Sequence, residues 1–408
     1  MSKYRKVLVD PFRTLRHGTF AKLFISQTAS LAGSSFTWLG LALLAYQLDP
    51  ERSAIILATT LTLRVAAYIL FSPFAGVVSE QFKRKNILWV TQAIRVVTLF
   101  LLFLINSEYQ LYLLVFLMNV AAAFFTPTYR AIIPQVVPRD EYREANGFSM
   151  ATFQLLSVFG PALAGVFALW FGAQQLFLIS AVLMTIGIAV VLTIPGQELQ
   201  GGVVTAKVTF RGGWQSVVKG VRLLFGNKIL RFALSIEFIS AIAGALVLVN
   251  TVGWVKSSLH QDDSGYGLVM ALFGVGAAIT AFLIGSLDKS KTRALSLIGG
   301  ALLVGVSISF ANFVSFNGLL VLWVFAGIGQ TLADLPSETL IGENIHADDQ
   351  AKVYGSHFAF SHLWWFIGYP FAGFLGTAFP DRSFLYGGIL TIALAILAVV
   401  VFKPRVRS

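Results

Sequence analysis

The chain repeats its own punctuation at one fixed offset of 209 positions, about half of its 408 residues. Gly76 pairs with Gly285, Pro127 with Pro336, and Pro161 with Pro370. Ahead of the first hydrophobic stretch, Arg13, Leu15 and Lys22 pair with Arg222, Leu224 and Arg231. One such coincidence means little. Six in a single register, at both ends and in the middle of each half, point to two fused copies of one unit.

The unit has to be a membrane bundle. Apolar residues make up 56% of the chain and charged residues only 12%, against roughly a quarter charged in a soluble domain. A membrane helix needs about 20 mostly apolar residues. Twelve such stretches are expected, at 21–48, 54–78, 87–105, 111–133, 147–171, 175–195, 230–255, 265–287, 295–313, 318–341, 355–379 and 384–403. Short turns between most of them force neighbours to run antiparallel. The expectation is an all-α integral membrane protein with 12 transmembrane helices in two pseudo-symmetric six-helix bundles. The first covers residues 1–195 with a basic N-terminus, a linker covers 196–229, and the second covers 230–408. Parallel repeats of this kind characterise alternating-access transporters.

The formal charge of +11 would suggest nucleic acid in a soluble protein, but here topology accounts for it. With both termini in the cytoplasm, only Arg52, Lys256 and Arg382 fall on the outer side, and Arg64, Arg95 and Arg130 lie within spans. The other lysines and arginines are cytoplasmic, a strong positive-inside bias. No nucleic-acid partner is expected, and the expected location is a plasma membrane, such as a bacterial inner membrane. The first 20 residues are basic and interrupted, so no cleavable signal peptide is expected. Zero cysteines exclude disulfides and thiolate metal ligands. No Walker or Rossmann pattern lies in a strand–turn–helix context. The chain reads as a transporter rather than an enzyme, without a cofactor and acting as a monomer.

The linker begins GQELQGGVVTAK and continues as a basic segment in which Trp214, Val217, Val221 and Leu224 fall near helical spacing. It predicts an amphipathic helix on the cytoplasmic membrane surface.

Two segments carry a family resemblance. The loop GVVSEQFKRKN, Gly76 to Asn86, resembles the signature loop between helices two and three of the major facilitator superfamily (MFS). Gly76, Arg84 and Lys85 match, Glu80 replaces the usual Asp, and Gln81 and Lys83 stand where Arg and Gly are usual. In such a loop the glycine lets two helices touch, and the carboxylate pairs with basic groups or a helix N-terminus to latch a gate. The second segment, FFTPTYRAIIPQVVPRDEYREANGF followed by FGPALAG, is similar to the efflux branch that includes enterobactin exporters, macrolide-efflux proteins and nickel-resistance permeases. Gly147, Gly160, Pro161 and Gly165 fit the antiporter-like motif of helix five, while Leu156 and Ala164 replace expected glycines. The resemblance implies spans one, four, seven and ten around a central cavity, and export of a small molecule such as a drug or siderophore by proton antiport. Uptake symport, or a non-transporting receptor or lipid scramblase on the same fold, are the alternatives.

Charges inside the spans are the chain's own functional signal, because burying an ionisable group in a bilayer is costly. The first half carries Arg64, Arg95 and Arg130, and the second carries Glu237, Asp334 and Glu338. None of these acids has a charged counterpart 209 residues earlier, where Thr28, Phe125 and Tyr129 stand. Glu237, Asp334 and Arg64 are the candidates for substrate and proton coupling. Arg130 and Glu338 are read as gate residues beside the signature loop. A carboxylate in a poorly solvated cavity that alternates between two sides meets the physical requirement for proton antiport. Counting 1.5 Å per residue, Glu237, Asp334 and His362 lie at one depth, so their convergence would make a nickel or cobalt site, and a divalent-metal exporter is the runner-up. His357 is read as a polar group near the membrane edge.

Overall fold

The computed structural model describes residues 13–74, 78, 81–138, 141–199, 210–287 and 293–404. Twelve long helices account for most of it. The first six are α1 (Gly18–Leu48), α2 (Ser53–Phe71), α3 (Arg84–Phe103), α4 (Glu108–Val136), α5 (Tyr142–Phe171) and α6 (Gln175–Leu192). A connecting helix spans Phe210–Gly226. Then come α7 (Lys228–Gly253), α8 (Asp263–Leu287), α9 (Arg293–Ser309), α10 (Phe316–Asn344), α11 (Ala347–Ala378) and α12 (Ser383–Phe402). No strand occurs among the described residues.

Among the described residues, ten of these helices are long and apolar enough to cross a membrane. The other two, α5 and α11, open on the polar stretches YREAN and ADDQAK. Both lie where the two halves meet: α5 packs on α8, and α11 packs on α2. These two contacts are related by the repeat, since α2 corresponds to α8 and α5 to α11. The repeat-paired prolines also fall inside matching helices, Pro127 in α4 with Pro336 in α10, and Pro161 in α5 with Pro370 in α11.

Local chemistry sets several helix ends. The Asn227 side chain accepts from the backbone amides of Ile229 (2.8 Å) and Leu230 (3.3 Å), which starts α7 right after the connecting helix. Gly172, at φ +92°, ends α5 in a conformation that side-chain-bearing residues avoid. Lys85 donates to the carbonyls of Leu192 (2.8 Å) and Ile194 (2.6 Å), covering the exposed C-terminal end of α6.

The connecting helix packs on α11. Its Leu224 is buried, and Gly220 sits so close to α11 that an added Cβ would lie 2.3 Å from the Lys352 carbonyl. Lys219 and Lys352 both pair with Asp349 at 2.7 Å, in the first turn of α11. These hydrogen bonds hold the Asp349 carboxyl below its usual range, Lys219 contributing most.

The halves approach most closely at the end away from the termini. A Cβ added to Gly165 would lie 2.7 Å from the Gly267 Cα, so α5 and α8 touch backbone to backbone. On the opposite seam, Cβ atoms added to Gly373 and Gly376 would lie 2.5 Å and 2.6 Å from the Cβ atoms of Ala58 and Ala54. Small residues permit this approach, as in other membrane bundles. The Tyr46 hydroxyl and Ser257 Oγ, 3.0 Å apart, join α1 to the π-helical turn Trp254–Ser258 at the same end.

Candidate functional site: an arginine wall facing an acidic wall

Toward the end that carries the termini, helices α1 to α5 enclose a cavity of about 630 Å³. Three arginines reach it from three helices. Arg64 of α2 places its guanidinium 3.7 Å from the ring centre of Trp38 and 5.9 Å from that of Tyr68, a cation–π seat on α1 and its own helix. Arg95 of α3 is 7% exposed and donates to Ser30 Oγ and Ser34 Oγ, both at 2.9 Å. Those serines are one turn apart on α1 and present a matched pair of acceptors. The Arg95 Nε–H has no partner. Arg130 of α4 is exposed and lines the same cavity. Gln27, Asn119 and Asn146 add neutral polar groups, and no carboxylate lines the cavity among the described residues.

A second cavity of about 360 Å³ shares Ser34, Trp38, Arg64 and Phe153 with the first. It lies between the halves, with Leu57 and Leu61 on one side and Leu248, Met270 and Phe273 on the other. Its lining is mainly apolar, so Arg64 stands at the border of a polar and a greasy chamber.

The opposite half carries the acids. Glu237 of α7 is 7% exposed, with Oε1 at 2.6 Å from His357 Nε2 of α11. Its Oε2 accepts from Ser361 Oγ at 3.3 Å. His357 and Ser361 are one turn apart on α11 and therefore share a face. Asp334 of α10 accepts from Gln330 Nε2 at 2.8 Å, and the same amide donates to Ser240 Oγ of α7 at 2.7 Å. Asp334 lies within electrostatic reach of Glu237 and His357. One polar cluster thus ties together α7, α10 and α11.

His362 is elsewhere. Its Nδ1–H donates to the Phe358 carbonyl at 2.9 Å, and its ring lies 4.1 Å from that of Phe358 and 6.3 Å from Tyr68 of α2. The expected trio of Glu237, Asp334 and His362 is therefore corrected: the imidazole beside Glu237 is His357, which is buried and paired rather than a loose polar group. Among the described residues no group of three or more His, Asp or Glu side chains is placed to hold a metal ion. His357 was legible only by asking which histidine shares a helix face with Ser361.

The remaining candidates divide. Arg84 donates to the Ala131 carbonyl at 3.4 Å, so the basic end of the signature loop grips α4 as Lys85 grips α6. Gly76 and Glu80 lie outside the described residues, as does the side chain of Glu338 on α10. Gly160 is pressed against α1, where an added Cβ would lie 2.4 Å from Ser35 Cβ, and Pro161 lines the apolar chamber. Gly147 touches nothing within 4 Å of an added Cβ. Near the termini, Arg13 and His17 both pair with Glu141, at 2.8 and 2.9 Å, and Arg293 pairs with Glu343, each pair within one half.

Known proteins resemble the chain along most of its length. Macrolide efflux protein A of Streptococcus pyogenes is 22% identical over 408 aligned positions, covering 95% of this chain and 96% of its own. Lysophospholipid transporter LplT of Cronobacter sakazakii is 24% identical over 321, covering 76% and 77%. A crystal structure of a POT family transporter in complex with 5-aminolevulinic acid superposes with a TM-score of 0.71 at 12% identity, covering 97% of this chain and 100% of its own. The model of the Major Facilitator Superfamily matches residues 23–252 and 233–408. The chain is an integral membrane transporter of the Major Facilitator Superfamily.

Proposed function

We propose that this transporter exports a small amphiphilic molecule in exchange for protons, with both termini in the cytoplasm. The observation that carries the reading is the buried Glu237–His357 pair beside Asp334. A carboxylate and an imidazole 2.6 Å apart can share or pass one proton, and alternating exposure would let that proton enter from one side and leave to the other. The site is built by α7, α10 and α11, and α11 also contacts α2 of the other half. A change of protonation in the cluster therefore acts on the seam that must open.

The direction of transport is supported by the relatives, one of which is an efflux protein. With the termini inside, the close seam lies at the outer end, and the exposed Arg130, Tyr142 and Met150 of the arginine chamber face the cytoplasm. This is the state in which an exporter would load. The glycine seams would part, and the polar end close, in the other state.

The test is proton flux in sealed proteoliposomes containing a pH dye, with erythromycin or lysophosphatidylglycerol added to one side. A protein-dependent proton flux that starts with substrate and disappears in both E237Q and D334N supports the reading. Unchanged proton flux in these two neutral variants contradicts it.

A further inference from the structure

We infer that the substrate is an anionic amphiphile, its oxyanion headgroup held by Arg64, Arg95 and Arg130 and its apolar tail in the adjoining chamber between the halves. The inference rests on the transport reading above and adds the class of cargo. It starts from an imbalance. Three guanidinium groups line one chamber, and among the described residues no carboxylate lines that chamber or its neighbour. Arg95 is held by two neutral serines, and its Nε–H is aimed at no acceptor. Arg64 is seated on Trp38, an arrangement that offsets part of its desolvation and supplies no counter-charge. Cations kept in a poorly solvated site without an acid are costly, and an anion that enters removes that cost.

Arginine sharpens the chemistry. Its planar fork matches the paired oxygens of phosphate, phosphonate or carboxylate, and two or three forks can surround one such group. A lipophilic cation meets the opposite: three like charges and nothing to neutralise it. The second chamber explains why the cargo should also be greasy. It opens off the first at Arg64, Trp38 and Phe153, and its other walls are leucine, methionine and phenylalanine. Cavities of about 300 to 1,000 Å³ hold drug-sized ligands, and each chamber falls within that range. Because the apolar chamber is walled by both halves, a tail lodged there would couple occupancy to their relative position. The acids sit on the other wall, away from the headgroup, which leaves the proton to Glu237 and His357.

The test is binding to the full-length protein in phosphatidylcholine nanodiscs, followed by thermal shift. The probes are decyl phosphate, inorganic phosphate as the head alone, decyl maltoside as the tail with a neutral head, and decyltrimethylammonium as the same tail with a cation. Decyl phosphate should raise the melting temperature saturably, by mass action on the folded state. Inorganic phosphate should bind more weakly by about tenfold or more, because it makes the charge-assisted contacts without the buried tail. R64Q should weaken decyl phosphate by about tenfold or more. Arg130 is exposed, so R130Q leaves no buried partner stranded and keeps the test independent of folding. It should also weaken decyl phosphate while melting unchanged in the absence of ligand. Decyltrimethylammonium binding as tightly as decyl phosphate would overturn the inference. So would unchanged decyl phosphate affinity in both R64Q and R130Q, or equal affinity for decyl maltoside. Binding needs no gradient, so a protein that binds decyl phosphate but moves no protons contradicts the coupling reading and leaves this one standing.

Discussion

The two halves of this transporter use the same helices for different chemistry. Prolines stand at matching points of α4 and α10 and of α5 and α11, and the seams α2–α11 and α5–α8 are repeat images of each other. Charge does not follow the repeat. One half presents Arg64, Arg95 and Arg130 to a cavity, and the other buries Glu237 against His357 with Asp334 alongside. Backbone geometry is what both copies need in order to pack and rock. Side-chain charge is what each copy is free to change, and here one copy carries arginines around a cavity and the other a buried acid cluster.

The comparison breaks first at its acidic wall. E237Q should lower proton-coupled transport by about a hundredfold while the protein stays folded, because the amide still bonds to His357 but cannot release a proton. Size-exclusion profile and proton flux, measured together, check this. At the cationic wall, Arg95 and Arg130 should differ from each other. R95Q leaves the buried Ser30 hydroxyl without its guanidinium partner and should cost about 1–3 kcal/mol of stability, whereas R130Q should cost almost none, as thermal or denaturant unfolding will show. The shared scaffold gives a third contrast. G160V drives a side chain into Ser35 of α1 and should destabilise by about 1–3 kcal/mol, while G147A, in open space, should stay within about 0.5 kcal/mol. The smallest effect lies outside the bilayer. Asp349 has a carboxyl held below its ordinary value of 3.8 by Lys219 and Lys352. A depressed folded value contributes stability above the unfolded pKa and loses it as pH falls through the folded one. The connecting helix should therefore stay docked on α11 at neutral pH and loosen only below about pH 3.8, and D349N should loosen it at every pH, both readable by hydrogen exchange at residues 215–226.

Much of this was legible in the sequence, for identifiable reasons. Helix number and order follow from apolar run length, and the repeat relates the two seams, α2–α11 and α5–α8. Glu237 and Asp334 stand out because nothing at their repeat positions is charged. His357 did not stand out. Depth in a bilayer follows from rise per residue, but partners follow from rotation, and five residues turn the side chain by roughly 140°. His362 therefore has suitable depth and the wrong face, toward Arg64 and Tyr68. Arg130 was read as a gate residue, and the shared cavity with Arg64 and Arg95 was not foreseen. Which helices enclose a shared space is a property of packing, and a single span does not disclose it. The docking of the connecting helix escaped for a similar reason. Its apolar stripe is the same whether it meets lipid or α11, and Gly220 is the residue whose lack of a side chain fits the close protein contact.

The division of labour is tested most directly by comparing R64Q and E237Q in one vesicle experiment. Proteoliposomes loaded with radiolabelled decyl phosphate and a pH dye report downhill exchange of the anion and the accompanying proton flux together. R64Q should lose both signals, and E237Q should retain exchange of the anion while its proton signal disappears. If the two variants lose the same signals to the same degree, or if E237Q still carries protons with the anion, the separation of an anion wall from a proton wall is wrong.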